Sequence, residues 1–317
     1  MQQYLLPGEG HIPAIGLGTW KSAPGVVSTA VEEAITAGYR HIDCAPIYGN
    51  EPEVGASVAK AIAAGTVSRQ DLWLTSKLWN NAHAPESVQS ALEKTLLDLQ
   101  VDHLDLYLIH WPVLFRHDVM FARRSDEYLP LDRIPIIETW QALEACVTKG
   151  LTRYIGVSNF SIKKLDDLCQ QATIRPVNNQ IELHPYLQQQ EMIEYCRTNN
   201  ILLTAYAPLG SGDRPKGMKK SDEPSLLNNP VIKRVAARYK VSPGQVLISW
   251  GLARNTVVIP KSVHPQRIRE NLAAAGLVLD AGDLEEIATL ERGYRFVDGS
   301  FFQAPGSSYT VKELWDE

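Results

Sequence analysis

Arg40-His-Ile-Asp-Cys-Ala-Pro-Ile-Tyr-Gly-Asn-Glu51 is the stretch on which the rest of the chain is organised. A short apolar beat around Ile42 ends in an acid, Asp43, where a strand would end. Pro46 breaks the regular structure, Tyr48 follows in the turn, and Gly49, Asn50 and Glu51 lead into a helix-like run. An acid and a tyrosine five residues apart at the exit of a strand can share one cleft. That reading gains force if other strand ends bring matching chemistry to the same place.

The surrounding chain repeats the pattern. Short apolar runs at 15–17, 39–42, 72–75, 104–109, 154–157, 179–183, 202–206 and 257–259 are each followed by polar or special residues and then by an amphipathic stretch. Apolar residues three and four apart predict helices over 26–37, 85–99, 136–149 and 189–198. Helix-start signals with proline in the first turn stand at Ala84-Pro85-Glu86 and Ser242-Pro243-Gly244. Ahead of the first run, residues 4–15 alternate around Pro7-Gly8-Glu9-Gly10 and predict an N-terminal hairpin. Eight strand-then-helix units within about 250 residues, with no linker-like break, predict a (β/α)8 TIM barrel spanning 1–317 as one domain. A doubly wound nucleotide-binding fold would want a third glycine after Gly16-Leu-Gly18, where Thr19-Trp20-Lys21 stands instead.

Bulk properties narrow the function classes. Of 317 residues, 44% are hydrophobic and 21% charged, ordinary values for a soluble globular protein. A net charge of -5 argues against non-specific nucleic-acid binding, which needs basic surface to displace counterions. No apolar run reaches the length of a membrane span, and the first residues lack the basic and apolar regions of a secretory leader. Cys44, Cys146, Cys169 and Cys196 are scattered, so reduced cysteines and a cytoplasmic location are expected. A monomer is the default expectation.

Function in such a barrel sits at the C-terminal strand ends. These supply Thr19, Trp20 and Lys21; Asp43 and Tyr48; Ser76, Lys77 and Trp79; His110 and Trp111; Ser158 and Asn159; Gln180, Glu182 and His184; Tyr206; and Lys261 and Ser262. Asp43, Tyr48, Lys77 and His110 can converge as a proton-transfer set. A free tyrosine has a pKa near 10, too high for acid-base work at neutral pH. A nearby ammonium from Lys77 lowers it, Asp43 can hold that ammonium, and His110 can hydrogen-bond a substrate oxygen. The segment Pro260-Lys-Ser-Val-His-Pro-Gln-Arg267 joins cations, a hydroxyl and a helix N-terminus in an anion site. A barrel metallohydrolase would need several His and carboxylate ligands. His41 and Asp43 are expected on opposite faces of their strand, leaving too few. A non-catalytic cofactor-binding scaffold would not need the proton-transfer set.

With these motifs assembled, the chain resembles an aldo-keto reductase from end to end. The matching stretches are Gly16-Leu-Gly-Thr-Trp20, Gly38-Tyr-Arg-His-Ile-Asp43 with Tyr48, Ser76-Lys-Leu-Trp79 and Leu104-Asp-Leu-Tyr-Leu-Ile-His-Trp-Pro112. Gly156-Val-Ser-Asn-Phe160, Asn179-Gln-Ile-Glu182, and Ile259-Pro-Lys-Ser262 with Arg267-Ile-Arg-Glu-Asn271 complete the set. The resemblance implies reduction of aldehydes and ketones with NADPH, with Tyr48 as proton donor, Lys77 and Asp43 tuning it, and His110 orienting the carbonyl. It further implies that Ser158, Asn159 and Gln180 hold the nicotinamide carboxamide and that Tyr206 stacks on its ring. Thr19, Trp20, Pro208, Leu209 and Ser211 would lie near the pyrophosphate. Asp213 would pair with Lys261 as a strap, and Lys261, Ser262, Arg267 and Asn271 would hold the adenosine 2'-phosphate.

Two connections, 112–135 and 210–228, are long for loops in a compact domain and invite a lid or binding role. Trp20, Trp79 and Trp111, with Phe121, Phe301 or Phe302 as covers, are expected to wall a pocket for apolar carbonyls. Arg116, Arg123 and Arg124 in the first long loop raise the expectation that anionic carbonyls are accepted as well.

Overall fold

Strands covered on both faces are buried along their whole length, and every residue of Trp73–Leu78 and Leu104–Ile109 is buried. The computed structural model describes residues 2–7 and 10–317. The chain starts with an antiparallel hairpin of β1 (Gln3–Leu5) and β2 (His11–Pro13); Gly8 and Glu9 of the expected turn lie outside the described residues. Next come β3 (Leu17–Gly18), β4 (His41–Asp43), β5 (Trp73–Leu78) and β6 (Leu104–Ile109). A second small hairpin, β7 (Leu114–Phe115) with β8 (Tyr128–Leu129), interrupts the first long loop. Then follow β9 (Thr152–Ser158), β10 (Asn178–Glu182), β11 (Leu202–Tyr206) and β12 (Val257–Val258).

Eight of these strands form one parallel sheet in the order β3-β4-β5-β6-β9-β10-β11-β12. Its two edges meet: Gly16 N–H donates to Val258 O, and Val258 N–H to Ala14 O, both at 2.9 Å. The sheet therefore closes on itself. The glycines at that seam serve close packing rather than a phosphate turn. A Cβ on Gly16 would sit 2.7 Å from His41 Nδ1, and one on Gly18 3.0 Å from Ile259 O.

Helices α1 (Val26–Ala37), α2 (Glu51–Ala63), α3 (Pro85–Leu99), α4 (Ile136–Thr148), α5 (Ile162–Gln171) and α6 (Gln190–Thr198) each follow a barrel strand. Two helices, α7 (Pro230–Tyr239) and α8 (Pro243–Ala253), fill the connection from β11 to β12. After β12 come α9 (Pro265–Ala273), α10 (Ala281–Ala288) and the terminal α11 (Val311–Trp315). The apolar period placed α1 and α3 to the residue and α4 and α6 within one, because each buries a continuous stripe against the sheet. All eight expected strands form, giving the (β/α)8 architecture. Among the described residues, no helix is long and apolar enough to cross a membrane.

Burial divides the core in two. Leu106, Leu108, Val257 and Ile259 fill the barrel interior together with Leu6 and Ile12 of the N-terminal segment, which plugs the bottom. A larger layer lies between sheet and helices and includes Leu74, Tyr107, Ile109, Val88, Leu92 and Trp140. The period of two along β5 thus sends Trp73, Thr75 and Lys77 inward and Leu74, Ser76 and Leu78 outward. The same period corrects one expectation. His41 and Asp43 stand two apart and share the inward face; His41 Nε2 lies 3.2 Å from Thr75 Oγ1.

Glu51 links three elements in the outer layer. It opens α2, is 1% exposed, and accepts Ser76 Oγ at 2.5 Å and Thr95 Oγ1 at 3.1 Å. Burial raises its carboxyl from 4.5 to about 7, against the pull of those hydroxyls. A raised carboxyl binds more protons folded than unfolded, so its stability contribution is present below pH 4.5 and lost as pH rises through about 7. Glu51→Gln therefore gains on the wild type across that window. Urea denaturation at a series of pH values should show the two curves converging on the acid side; parallel curves would contradict this.

Candidate active site

The C-terminal ends of β4, β5 and β6 lie side by side in register, Asp43 against Thr75 and Leu78 against Ile109. Lys77, inward on β5, is wholly buried and reaches across to Asp43, its Nζ 2.6 Å from Oδ1. It also donates to Cys44 O at 2.9 Å and contacts Tyr48 Oη at 3.3 Å. Tyr48 closes a single 3-10 turn, Pro46–Tyr48, that Pro46 starts after two intervening residues, Cys44 and Ala45. Gln180 Nε2 donates to the second oxygen, Asp43 Oδ2, at 2.7 Å from the far side of the barrel. One carboxylate therefore fixes an ammonium and a carboxamide, and the ammonium fixes a phenol.

The electrostatics follow from burial. Desolvation alone would lower Lys77, but Asp43 and Tyr48 outweigh it and raise it above the ordinary lysine value. Burial pushes Tyr48 up to about 12, and Lys77 pulls it back only in part. The expectation of a lowered phenol is thus corrected: desolvation wins, and Tyr48 carries its proton at neutral pH. His110 continues the ladder, with its N–H on Leu78 O at 3.1 Å, and its ring packs edge-on against Trp79 at 5.1 Å and Tyr48 at 5.9 Å. Burial, then Lys77 and His83, hold it well below the usual imidazole range, so it is neutral.

A cavity of about 1180 Å³ opens over this group. Asp43, Tyr48, His110, Ser158, Asn159, Gln180 and Tyr206 line its floor, with Trp20, Trp79, Trp111, Phe121, Phe301 and Phe302 on one side. Pro208, Leu209, Ser211, Asp213, Lys261, Ser262, Arg267 and Asn271 line the other side. Thr19 and Lys77 lie beneath this lining. Thr19 Oγ1 donates to Asp43 O at 2.8 Å, so it holds the strand end rather than facing the cavity. Asn159, in the left-handed region at φ 62, donates to His110 O at 2.9 Å and accepts Tyr206 Oη at 2.7 Å.

Residues without a sequence assignment also enter the site. Asp213 meets Lys261 at 3.2 Å as expected, but it also pairs with Lys21, which donates to Ser211 Oγ at 2.7 Å. Lys21 lies over the Trp20 ring at 4.5 Å. Its place directly after Trp20 at a strand end was the available signal. Arg214, buried, pairs with Glu223 and binds Gly210 and Ser211 carbonyls, giving the second long loop its own fold. Glu270 and Gly244 add to the wall, brought there by α9 and α8. The expectation for the three loop arginines is corrected in two. Arg116 pairs with Asp118 and Arg124 with Asp126, and only Arg123 lines the cavity. Among the described residues, no group of three or more His, Cys, Asp or Glu is placed to hold a metal.

An eight-stranded barrel with a buried lysine-carboxylate pair beneath a tyrosine and a histidine, open to a long cavity with cations at one end, is the architecture of a barrel oxidoreductase. The chain belongs to the aldo/keto reductase family, whose model matches residues 14–292. It is 54% identical to the aldo/keto reductase slr0942 of Synechocystis over all of this chain and 97% of that protein. Human aldo-keto reductase family 1 member A1 is 46% identical over 90% of this chain and 88% of its own length. Among solved structures, the aldose reductase from Schistosoma japonicum superposes with a TM-score of 0.87 at 38% identity, covering 95% of this chain and 96% of that one.

Removing the ammonium would leave a buried carboxylate with no cation. Lys77→Met should cost about 3–5 kcal/mol, read as a lower urea midpoint at neutral pH. An unchanged midpoint would mean that the pair is solvated.

Proposed function

We propose that the protein reduces aldehydes and ketones to alcohols with NADPH, with Tyr48 giving the proton. The observation that carries this reading is the Asp43–Lys77–Tyr48 chain, at 2.6 and 3.3 Å, set beside a neutral His110 at the floor of the cavity.

The cation-lined half of the cavity fits the cofactor. Arg267 has no carboxylate partner among the described residues, and Lys261 has only Asp213, which it shares with Lys21. Two cations and the Ser262 hydroxyl at the start of α9 suit a phosphate monoester, the group that distinguishes NADPH from NADH. Ser158, Asn159 and Gln180 offer amide and hydroxyl groups to a carboxamide, and Tyr206 offers a ring face. When bound, the cofactor supplies hydride to the carbonyl carbon.

The remaining steps belong to the chain. His110 donates a hydrogen bond to the carbonyl oxygen and orients it. Tyr48, protonated through neutral pH, transfers its proton to that oxygen as the hydride arrives. The Lys77 ammonium stabilises the phenolate left behind, and Asp43 keeps that ammonium in place. The aromatic walls exclude water and favour apolar carbonyls, while Arg123, alone of the three arginines in the first long loop, is placed to meet an anionic one.

Tyr48→Phe should lower turnover by about 10²–10⁴-fold, with NADPH binding by fluorescence quenching intact; loss of binding in step with turnover would make Tyr48 structural. Lys261→Ala and Arg267→Ala should each weaken NADPH far more than NADH. If both cofactors weaken equally in a titration, the phosphate assignment fails.

A further inference from the structure

The turn after β5 holds four sealed polar atoms without a protein partner. Asn80 is 0% exposed, and neither its Nδ2 nor its Oδ1 has one. His83 is 2% exposed, and both ring nitrogens lack one. His110 Nδ1 is sealed and unpartnered as well. The three residues belong to adjoining chain ends. His110 N–H bonds Leu78 O, two residues before Asn80, and its ring packs on Trp79. The turn itself is rigid: Phe115 N–H donates to Asn80 O at 2.9 Å, and Thr139 Oγ1 donates to His83 O at 2.7 Å. His83 is also close enough to oppose a charge on His110, and burial lowers His83 itself to about 3.

Buried polar groups are almost always hydrogen-bonded, and each one left alone costs about 1–3 kcal/mol. Five such atoms on neighbouring chain segments call for internal water, which typically makes about three bonds to groups of this kind. The identity of the donors behind His110 then has a chemical consequence. A neutral imidazole donates from one nitrogen and accepts at the other. His110 lines the cavity while its Nδ1 is sealed, so Nε2 is the nitrogen that faces the cleft. Nε2 can donate to a carbonyl oxygen only if Nδ1 accepts from behind. The Asn80 carboxamide is a donor at every pH, and neutral His83 supplies a second N–H.

We propose that Asn80 and His83 are positioning residues for the reaction proposed above. Through internal water they present a hydrogen to His110 Nδ1, and so hold the tautomer whose Nε2–H faces the carbonyl oxygen. His83→Phe and Asn80→Leu replace those groups with apolar ones of similar size, whereas His83→Gln keeps a donor and an acceptor.

The test is nitrogen NMR of the 15N-labelled protein with NADP bound, the His110 signals being assigned by their loss in His110→Gln, alongside steady-state kinetics with one aldehyde. In the wild type, His110 should carry its proton on Nε2. His83→Phe and Asn80→Leu should shift it toward Nδ1 and lower kcat/KM for the aldehyde by about 10–100-fold, by analogy with removing the partner that orients a metal-bound histidine. NADPH affinity should not change, and His83→Gln should restore the wild-type signal and rate. A wild-type His110 protonated on Nδ1 overturns the proposal even if no variant folds. So do variants that keep both tautomer and rate, or that lose NADPH binding in step with rate. The tautomer is read without turnover, so an inactive wild type would count against the reductase reading and leave this result to be judged by itself.

Discussion

A lysine buried to 0% exposure must find a counter-charge, and in this protein that requirement organises the C-terminal end of the barrel. Asp43 meets Lys77 only because β4 and β5 are parallel neighbours in register and both side chains point inward. Asp43 in turn takes Gln180 from β10, across the interior. The pair therefore ties distant strands together at one point. It also leaves a localised positive charge under the Tyr48 hydroxyl, where a phenolate would form.

The two halves of the cavity follow from different constraints. On the side of Trp79 and Trp111, shape comes from aromatic packing. Trp111 meets Phe302 at 5.2 Å and Trp315 at 6.0 Å, and Trp315 is fixed by its N–H on Asp298 O. On the side of Lys261 and Arg267, shape comes from charge, with Asp213 held between Lys21 and Lys261. Burial opposes the ionised form of Asp213, and the two lysines nonetheless hold its carboxyl below the usual value. An aromatic wall and a cation-lined wall thus share one floor, which suits the proposed meeting of a charged cofactor with a carbonyl.

Much of this was legible in the sequence, for physical reasons. Eight strands buried on both faces leave apolar runs, and helices on a sheet leave a period near 3.6, so the barrel was readable. Asp43, Tyr48, Lys77 and His110 were readable because each stands at a strand end, where the fold gathers side chains. What stayed hidden depends on distance in sequence or on solvation. Lys21 and Asp213 are 192 residues apart, and only closure of the barrel between β3 and β12 brings their loops together. The fates of Arg116 and Arg124 depend on Asp118 and Asp126 in a loop with no period to read. The upward shift of Tyr48 is a balance of burial against one ammonium, and burial is not written in a motif. His41 sharing a face with Asp43 was available from the strand period itself.

The central claim is that this floor passes a proton to a carbonyl oxygen while the cation-lined end selects a phosphorylated nicotinamide cofactor. Oxidation of NADPH by the purified protein with a set of small aldehydes, NADH being run at the same concentration, tests both halves at once. Aldehyde-dependent oxidation that is much faster with NADPH than with NADH is the predicted result. Folded protein that binds NADPH yet shows no aldehyde-dependent oxidation of either cofactor would contradict the account.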